Sequence, residues 1–155
     1  MVIEVLVASA IITISILAAT AVAQKSIFVA HRAFHTTQAG FLLEEGAEEA
    51  RIFRDNNTWA NFTTIFNTSS TYYIPPNVSN WTSALPTTAS GNLVDSIFTR
   101  TVTFANVNRN ATTEDISGSG TNDSGTKLVT ITVSWLEGGT TVSKTLQFYL
   151  MNIFS

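Results

Sequence analysis

Between Glu4 and Lys25 stand twenty residues without a charge, VLVASAIITISILAATAVAQ. As a helix they span about 30 Å at 1.5 Å per residue, the thickness of a bilayer core. No other stretch restricts the chain so strongly, because water is a poor solvent for a rod that is apolar on every side. The first 24 residues hold most of the aliphatic excess, and from Asn56 onward Asn, Thr and Ser dominate. Only 12% of the 155 residues are charged and the net charge is −3, with no basic cluster to neutralise phosphates, so no specific nucleic-acid site is expected. The chain has no cysteine, which excludes disulfides and thiolate metal sites.

Three readings compete for the apolar run. A secretory signal peptide would need a basic start and a small-residue cleavage site. Ala21 and Ala23 offer such a site, but MVIE holds an acid and no base. A plain transmembrane anchor accounts for the length and leaves Glu4 without a role. A carboxylate in the apolar zone costs about 2.5–3.5 kcal/mol, less near the interface. In the third reading Glu4 has a dedicated cation, the terminal amine at Met1 of a neighbouring copy. Two helices staggered side by side would satisfy both charges at one offset only, so Glu4 would set the register of helix-on-helix assembly.

The residues MVIEVLVASAIITISIL resemble the amino-terminal stretch of type IV pilins and the related pseudopilins, whose hallmark is (F/M)TLIEVLVAxAI after a cleaved, basic leader. The match covers about the first 25 residues, and the general layout extends over the whole chain. The family's acid stands one position further from the start than Glu4 does, which puts Met1 as the mature first residue, and its N-methylation, in question. LLEEGAEEARIFRDNNTW also looks like a stretch of pilin-like proteins from ultra-small, host-attached bacteria. The resemblance implies a pilin fold and a filament whose core is built from the apolar helix. Here that helix presents Val5, Leu6, Val7, Ala8, Ile11, Ile12, Ile14, Ile16 and Leu17, with Met1 and Glu4 in assembly. It further implies a prepilin peptidase, a pilus assembly machinery, residence in the inner membrane before assembly, and a host-cell surface as a possible contact. Many members carry a helix-breaking proline near position 22. Val22 stands here, so a more continuous helix is expected, with Ser15 and Thr20 as places for local melting.

Helical spacing continues past Lys25. Ile27, Phe34 and Phe41 recur every seven residues, with Ala30, Leu42 and Ile52 beside them, and no proline interrupts residues 1–54. Gly40 and Gly46 weaken the helix by up to about 1 kcal/mol each relative to Ala. A stop falls at Asp55-Asn56-Asn57, giving a helix about 80 Å long. Glu44, Glu45, Glu48 and Glu49 read as a solvated face, with Arg51 in reach of Glu48 and Asp55.

Residues 56–91 read as a long connection pinned by Trp59, Phe62, Phe66, Tyr72, Tyr73 and Trp81. The last third is β. LVDSIFTRTVTFANV, KLVTITVSWLEG and TTVSKTLQFYLMNIF are strands, Gly138-Gly139 is a tight hairpin, and NRNATTEDISGSGTNDSG is a flexible loop. Val129, Ile131, Val133 and Trp135 form the apolar side of the second strand. The expected class is α+β: a long helix whose amphipathic half packs on an antiparallel sheet of three or more strands. The segments are 1–24 (apolar helix), 25–55 (amphipathic helix), 56–92 (connection) and 93–155 (sheet).

Other chemistry is sparse. His31 and His35 lie i,i+4 on a helix, but no HExxH motif or third ligand accompanies them. Glu114, Asp115, Asn122 and Asp123 flank a Gly/Ser-rich loop without EF-hand spacing. No nucleophile elbow and no phosphate loop is present, so neither an enzyme nor a cofactor is expected. Seven Asn-x-Ser/Thr sequons, at Asn56, Asn61, Asn67, Asn77, Asn80, Asn110 and Asn122, read either as glycan acceptors in exposed loops or as bare polar surface. The expected function is structural: a subunit that polymerises through its apolar helix, a homopolymer. A minor pilin or secretion pseudopilin and a monomeric, membrane-tethered binding domain are the alternatives.

Overall fold

The computed structural model describes residues 1–68, 70–73 and 93–153. The chain forms two units, Met1–Gln38 and Ala39–Ser155. Helix α1 is Val2–Asp55, and α2 is Trp59–Ile65. The strands are β1 (Thr71–Tyr73), β2 (Leu93–Val94), β3 (Phe98–Arg109), β4 (Ile116–Ser117), β5 (Thr121–Glu137) and β6 (Thr140–Met151). They form one antiparallel sheet in the order β1-β3-β5-β6, with β2 and β4 also paired to β3. The expected α+β arrangement, a long helix packed on an antiparallel sheet, is the one observed.

The inward side of the sheet carries the bulk. Phe98, Arg100, Val102 and Phe104 alternate inward on β3, and Val129, Ile131, Val133 and Trp135 on β5. The helix meets them with small residues: Ala39, Gly46, Ala47 and Ala50 are buried, and Phe53 closes the row. This corrects the heptad reading. Phe41 is 67% exposed and Ile52 is also exposed, and Ile27 and Phe34 are uncovered in the first unit. A sheet surface already filled by branched and aromatic side chains leaves little depth over most of the contact, so small residues dock there and the one large side chain, Phe53, packs at the end of the row against Phe62 and Phe66.

Gly46 is where the approach is closest. A Cβ built there would lie 3.1 Å from Ile131 Cγ2 and 3.3 Å from Arg100 Cδ, whereas one at Gly40 meets nothing within 4 Å. Gly→Ala in a helix gains up to about 1 kcal/mol, and overpacking costs about 1–3 kcal/mol. Gly40→Ala is therefore expected to stabilise and Gly46→Ala to destabilise by about 1 kcal/mol, read as opposite shifts of the urea midpoint.

The connection from 56 contains structure of its own. Thr58 caps α2, its hydroxyl accepting from Asn61 N at 3.3 Å. The aromatics expected to pin this region do so where they are described. Phe66 stacks on Phe104 at 4.4 Å between ring centroids, and Phe62 meets Phe104 edge-on at 5.6 Å. The Tyr72 hydroxyl donates to Ile65 O and accepts from Asn67 N. Trp59 Nε1 donates to Ser124 O at 2.8 Å. Trp81 lies outside the described residues.

Gly138 and Gly139, both at positive φ (57° and 82°), make the two-residue turn that joins β5 and β6, as their spacing requires. Half of the expected flexible loop between the first two long strands is instead in strands. β3 runs to Arg109, β4 pairs with it, and β5 starts at Thr121. Arg109 makes this possible: its Nε donates to Asp123 Oδ2 at 2.7 Å and its Nη1 to Glu114 O at 2.9 Å.

Candidate assembly site

The first unit is the candidate site. Its described residues are helical from Val2, and Val5, Leu6, Val7, Ala8, Ile11, Ile12, Ile14, Ile16 and Leu17 are all exposed. α1 is long and apolar enough to cross a membrane, and none of its most apolar stretch is buried against protein. The hydroxyls along it are turned back on the helix itself. Ser9 donates to Leu6 O, Thr13 to Ser9 O, Ser15 to Ile11 O, Thr20 to Leu17 O and Ser26 to Val22 O. A Ser or Thr whose proton is spent on a carbonyl of the preceding turn adds little polarity to the helix surface. Both places considered for local melting, Ser15 and Thr20, are helical in this chain. Glu4 is 79% exposed and its Oε2 lies 3.2 Å from the terminal amine of Met1 in the same chain. That exposed contact fixes little by itself.

His31 and His35 sit on one side of the helix, ring centroids 6.4 Å apart, beside Ile27 and Phe34. Among the described residues no group of three His, Asp or Glu side chains converges. Of the sequons, Asn56, Asn67 and Asn110 are exposed outside helices and strands. Asn61 is exposed but within α2, and Asn122 is exposed but within β5, which corrects their placement in loops. The Asn110 side-chain oxygen accepts from Thr112 N and Thr113 N, closing a turn. Asn77 and Asn80 lie outside the described residues.

In the second unit the structure reveals a charged joint that sequence reading missed. Arg100 is 1% exposed, pointing from β3 at the helix. Its Nη1 lies 2.9 Å from Glu45 Oε2 and 3.3 Å from Leu42 O. Its Nη2 lies 3.0 Å from both Glu49 oxygens, with hydrogen-bond geometry met at Oε1. The acidic cluster is thus not a uniformly solvated face. Glu44 and Glu48 are exposed, Glu48 paired with Arg51 at 3.1 Å, while Glu45 and Glu49 reach the sheet. Asp55 pairs with the adjacent Arg54 at 2.7 Å. One signal was available: Arg100 occupies an inward register of FTRTVTF, where a charge requires a partner of opposite sign.

Two acids share one guanidinium, and burial of Glu49 pushes its carboxyl from 4.5 up to about 7. Arg100 opposes the shift and Glu45 adds to it. Between pH 4.5 and 7 the native state binds more protons than the unfolded chain, so stability falls as pH rises across that window. Below it the contribution is complete. Glu49→Gln is expected to flatten this slope, worth about 3 kcal/mol across the window, as read from urea midpoints. Asp123 behaves oppositely. Arg109, then the Thr126 hydroxyl, hold its carboxyl below the ordinary 3.8, and its contribution is lost as pH falls below that value.

Neither a family model, nor a curated protein, nor a solved structure matches the chain.

Proposed function

We propose that this chain is a structural subunit of an extracellular filament of the type IV pilus kind, held in the inner membrane before assembly. The observation that carries the reading is the apolar helix of the first unit, uncovered and with its hydroxyls satisfied internally, preceded by one acid. In the mechanism, that helix leaves lipid and enters a bundle of identical helices. Small residues such as Ala8, Ser9, Ala10, Ala18 and Ala19 allow close approach of backbones. A head-to-tail contact that does not close on itself extends without limit. Glu4 exchanges the amine of its own chain for that of a neighbour and so selects the offset. Prepilin peptidase and a pilus assembly machinery are the partners such a subunit needs.

A second reading draws on the 3.2 Å contact between Glu4 and the amine of the same chain. If that contact satisfies the acid, the helix serves as an anchor and the second unit works as a tethered monomer. Electron microscopy of material sheared from cells, with mass identification, separates the two. Filaments composed of this chain are expected; a chain found only in membranes, and never cross-linked to itself, favours the tether.

A further inference from the structure

We propose that the outer end of the sheet holds a binding site for one uncharged pyranose ring, such as the terminal residue of a surface glycan. The site is a cavity of about 280 Å³ where β3, β4, β5 and β6 come together. That volume falls just under the roughly 300–1,000 Å³ of pockets for drug-sized ligands, so it suits a single ring rather than a chain.

Two cross-strand pairs frame it. Leu128 and Tyr149 are partners across β5 and β6, and Asn108 and Ser117 are partners across β3 and β4. Tyr149 is 47% exposed and Ile116 is 43% exposed, so two large apolar side chains stand at water beside a depression. An aromatic ring with an aliphatic neighbour is the surface on which the C–H face of a sugar packs. The polar side is made of amides and a hydroxyl, from Asn106, Asn108 and Ser117; the Asn106 oxygen already accepts from Lys127 Nζ, so the amide of Asn108 carries most of the polar recognition. An amide offers two donors and an acceptor on adjacent atoms, which match a pair of vicinal hydroxyls. The Asn108 side chain makes no hydrogen bond to any described residue. No Asp, Glu, Lys, Arg or His lines the cavity, and Lys127 Nζ, which touches its wall, is spent on Asn106 Oδ1, so the lining itself favours an uncharged ligand.

The cavity lies beside an irregularity of the sheet. Pairing of β3 with β5 slips beside it: Asn106 faces Lys127, but Val107 faces Asp123. The extra residues of β5 are locked in place. Asp123 accepts from Arg109 Nε at 2.7 Å, Thr126 Oγ1 at 2.7 Å and Gly125 N at 2.9 Å. A strand irregularity of this sort re-aims side chains near binding sites. A site formed before the ligand arrives loses less on ordering.

The test is a titration of the full chain in micelles of a zwitterionic, sugar-free detergent with methyl glucoside, methyl galactoside, methyl mannoside and N-acetylglucosamine. Saturation-transfer NMR reads the sugar, and backbone amide shifts read the protein. At least one of these sugars is expected to shift amides of Asn108, Gly118 and Tyr149, with affinity in the millimolar range and saturation below roughly 50 mM. Tyr149→Ala should weaken binding by about tenfold or more and Asn108→Ala by several-fold. Unchanged amide shifts elsewhere in the sheet will show that both variants fold. Tyr149→Phe, which keeps the ring, should retain most of the binding. The proposal is overturned by the absence of sugar-dependent shifts at these residues, or by equal shifts in Tyr149→Ala. It stands or falls independently of filament assembly.

Discussion

Arg100→Ala is expected to lower the stability of the second unit by about 3–5 kcal/mol above pH 7, as much as truncating a buried aromatic of its core. The guanidinium is the sole cation among the described residues that reaches both Glu45 and Glu49. Removing it leaves Glu49, 8% exposed, as a buried carboxylate beside a second one. At lower pH Glu49 takes up a proton and the loss shrinks, so the cost of Arg100→Ala itself depends on pH. Replacing both partners (Arg100→Met with Glu49→Leu) should recover most of the stability, because a buried pair contributes little beyond what apolar side chains of similar volume contribute. Urea unfolding of the full chain in micelles, followed by tryptophan fluorescence, reads both variants. A loss under 1 kcal/mol for Arg100→Ala at every pH would mean that the joint is not the fastener its geometry describes.

The second large effect falls on assembly. Glu4→Val should leave membrane insertion intact, since it lengthens the apolar run, and should reduce sheared filament by about tenfold or more. A tenfold loss corresponds to only about 1.4 kcal/mol per contact, a modest demand on an ion pair moved from water to a low-dielectric bundle. Glu4→Lys should be at least as damaging, since it sets like charges together. The amount of chain in the membrane fraction is the control. If Glu4→Val yields as many filaments of normal width as the parent, the acid does not choose the offset, and the contact with its own amine is all it does.

Periodicity was sufficient for the helix and for the long strands β5 and β6, but LVDSIFTRTVTFANV, read as one strand, folds back on itself: β2 (Leu93–Val94) pairs antiparallel with β3, which starts at Phe98, across a turn with Asp95 and Ser96 at positive φ. Val129, Ile131, Val133 and Trp135 alternate in the chain and are buried in the sheet, because side chains of a strand alternate strictly between two faces. The Gly138-Gly139 turn was equally legible, since two successive positive φ angles are cheap only for glycine. The docking face of the helix was misread. Large apolar residues every seven positions suggested the stripe through Phe41, yet the buried row is Ala39, Gly46, Ala47, Ala50 and Phe53. A hydrophobicity pattern weights size, whereas a filled sheet surface selects for the absence of it. The region after Asn108 was misread because its strand pairs, and the Arg109 bonds to Asp123 and Glu114 O that accompany them, join residues several positions apart and leave no periodic signature in a Gly/Ser-rich stretch.

The amino-acid order alone determined that this protein has an apolar rod with one acid at its start and a β-rich second half, because those properties depend on residues close in the chain. Tertiary structure alone decided which helix face lies on the sheet, that Arg100 stands between Glu45 and Glu49, and that Asn108, Ser117, Leu128 and Tyr149 surround one cavity. Glu45 and Arg100 are 55 residues apart in the chain, and only packing of the helix on the sheet brings them within reach, as strand register does for the residues around the cavity.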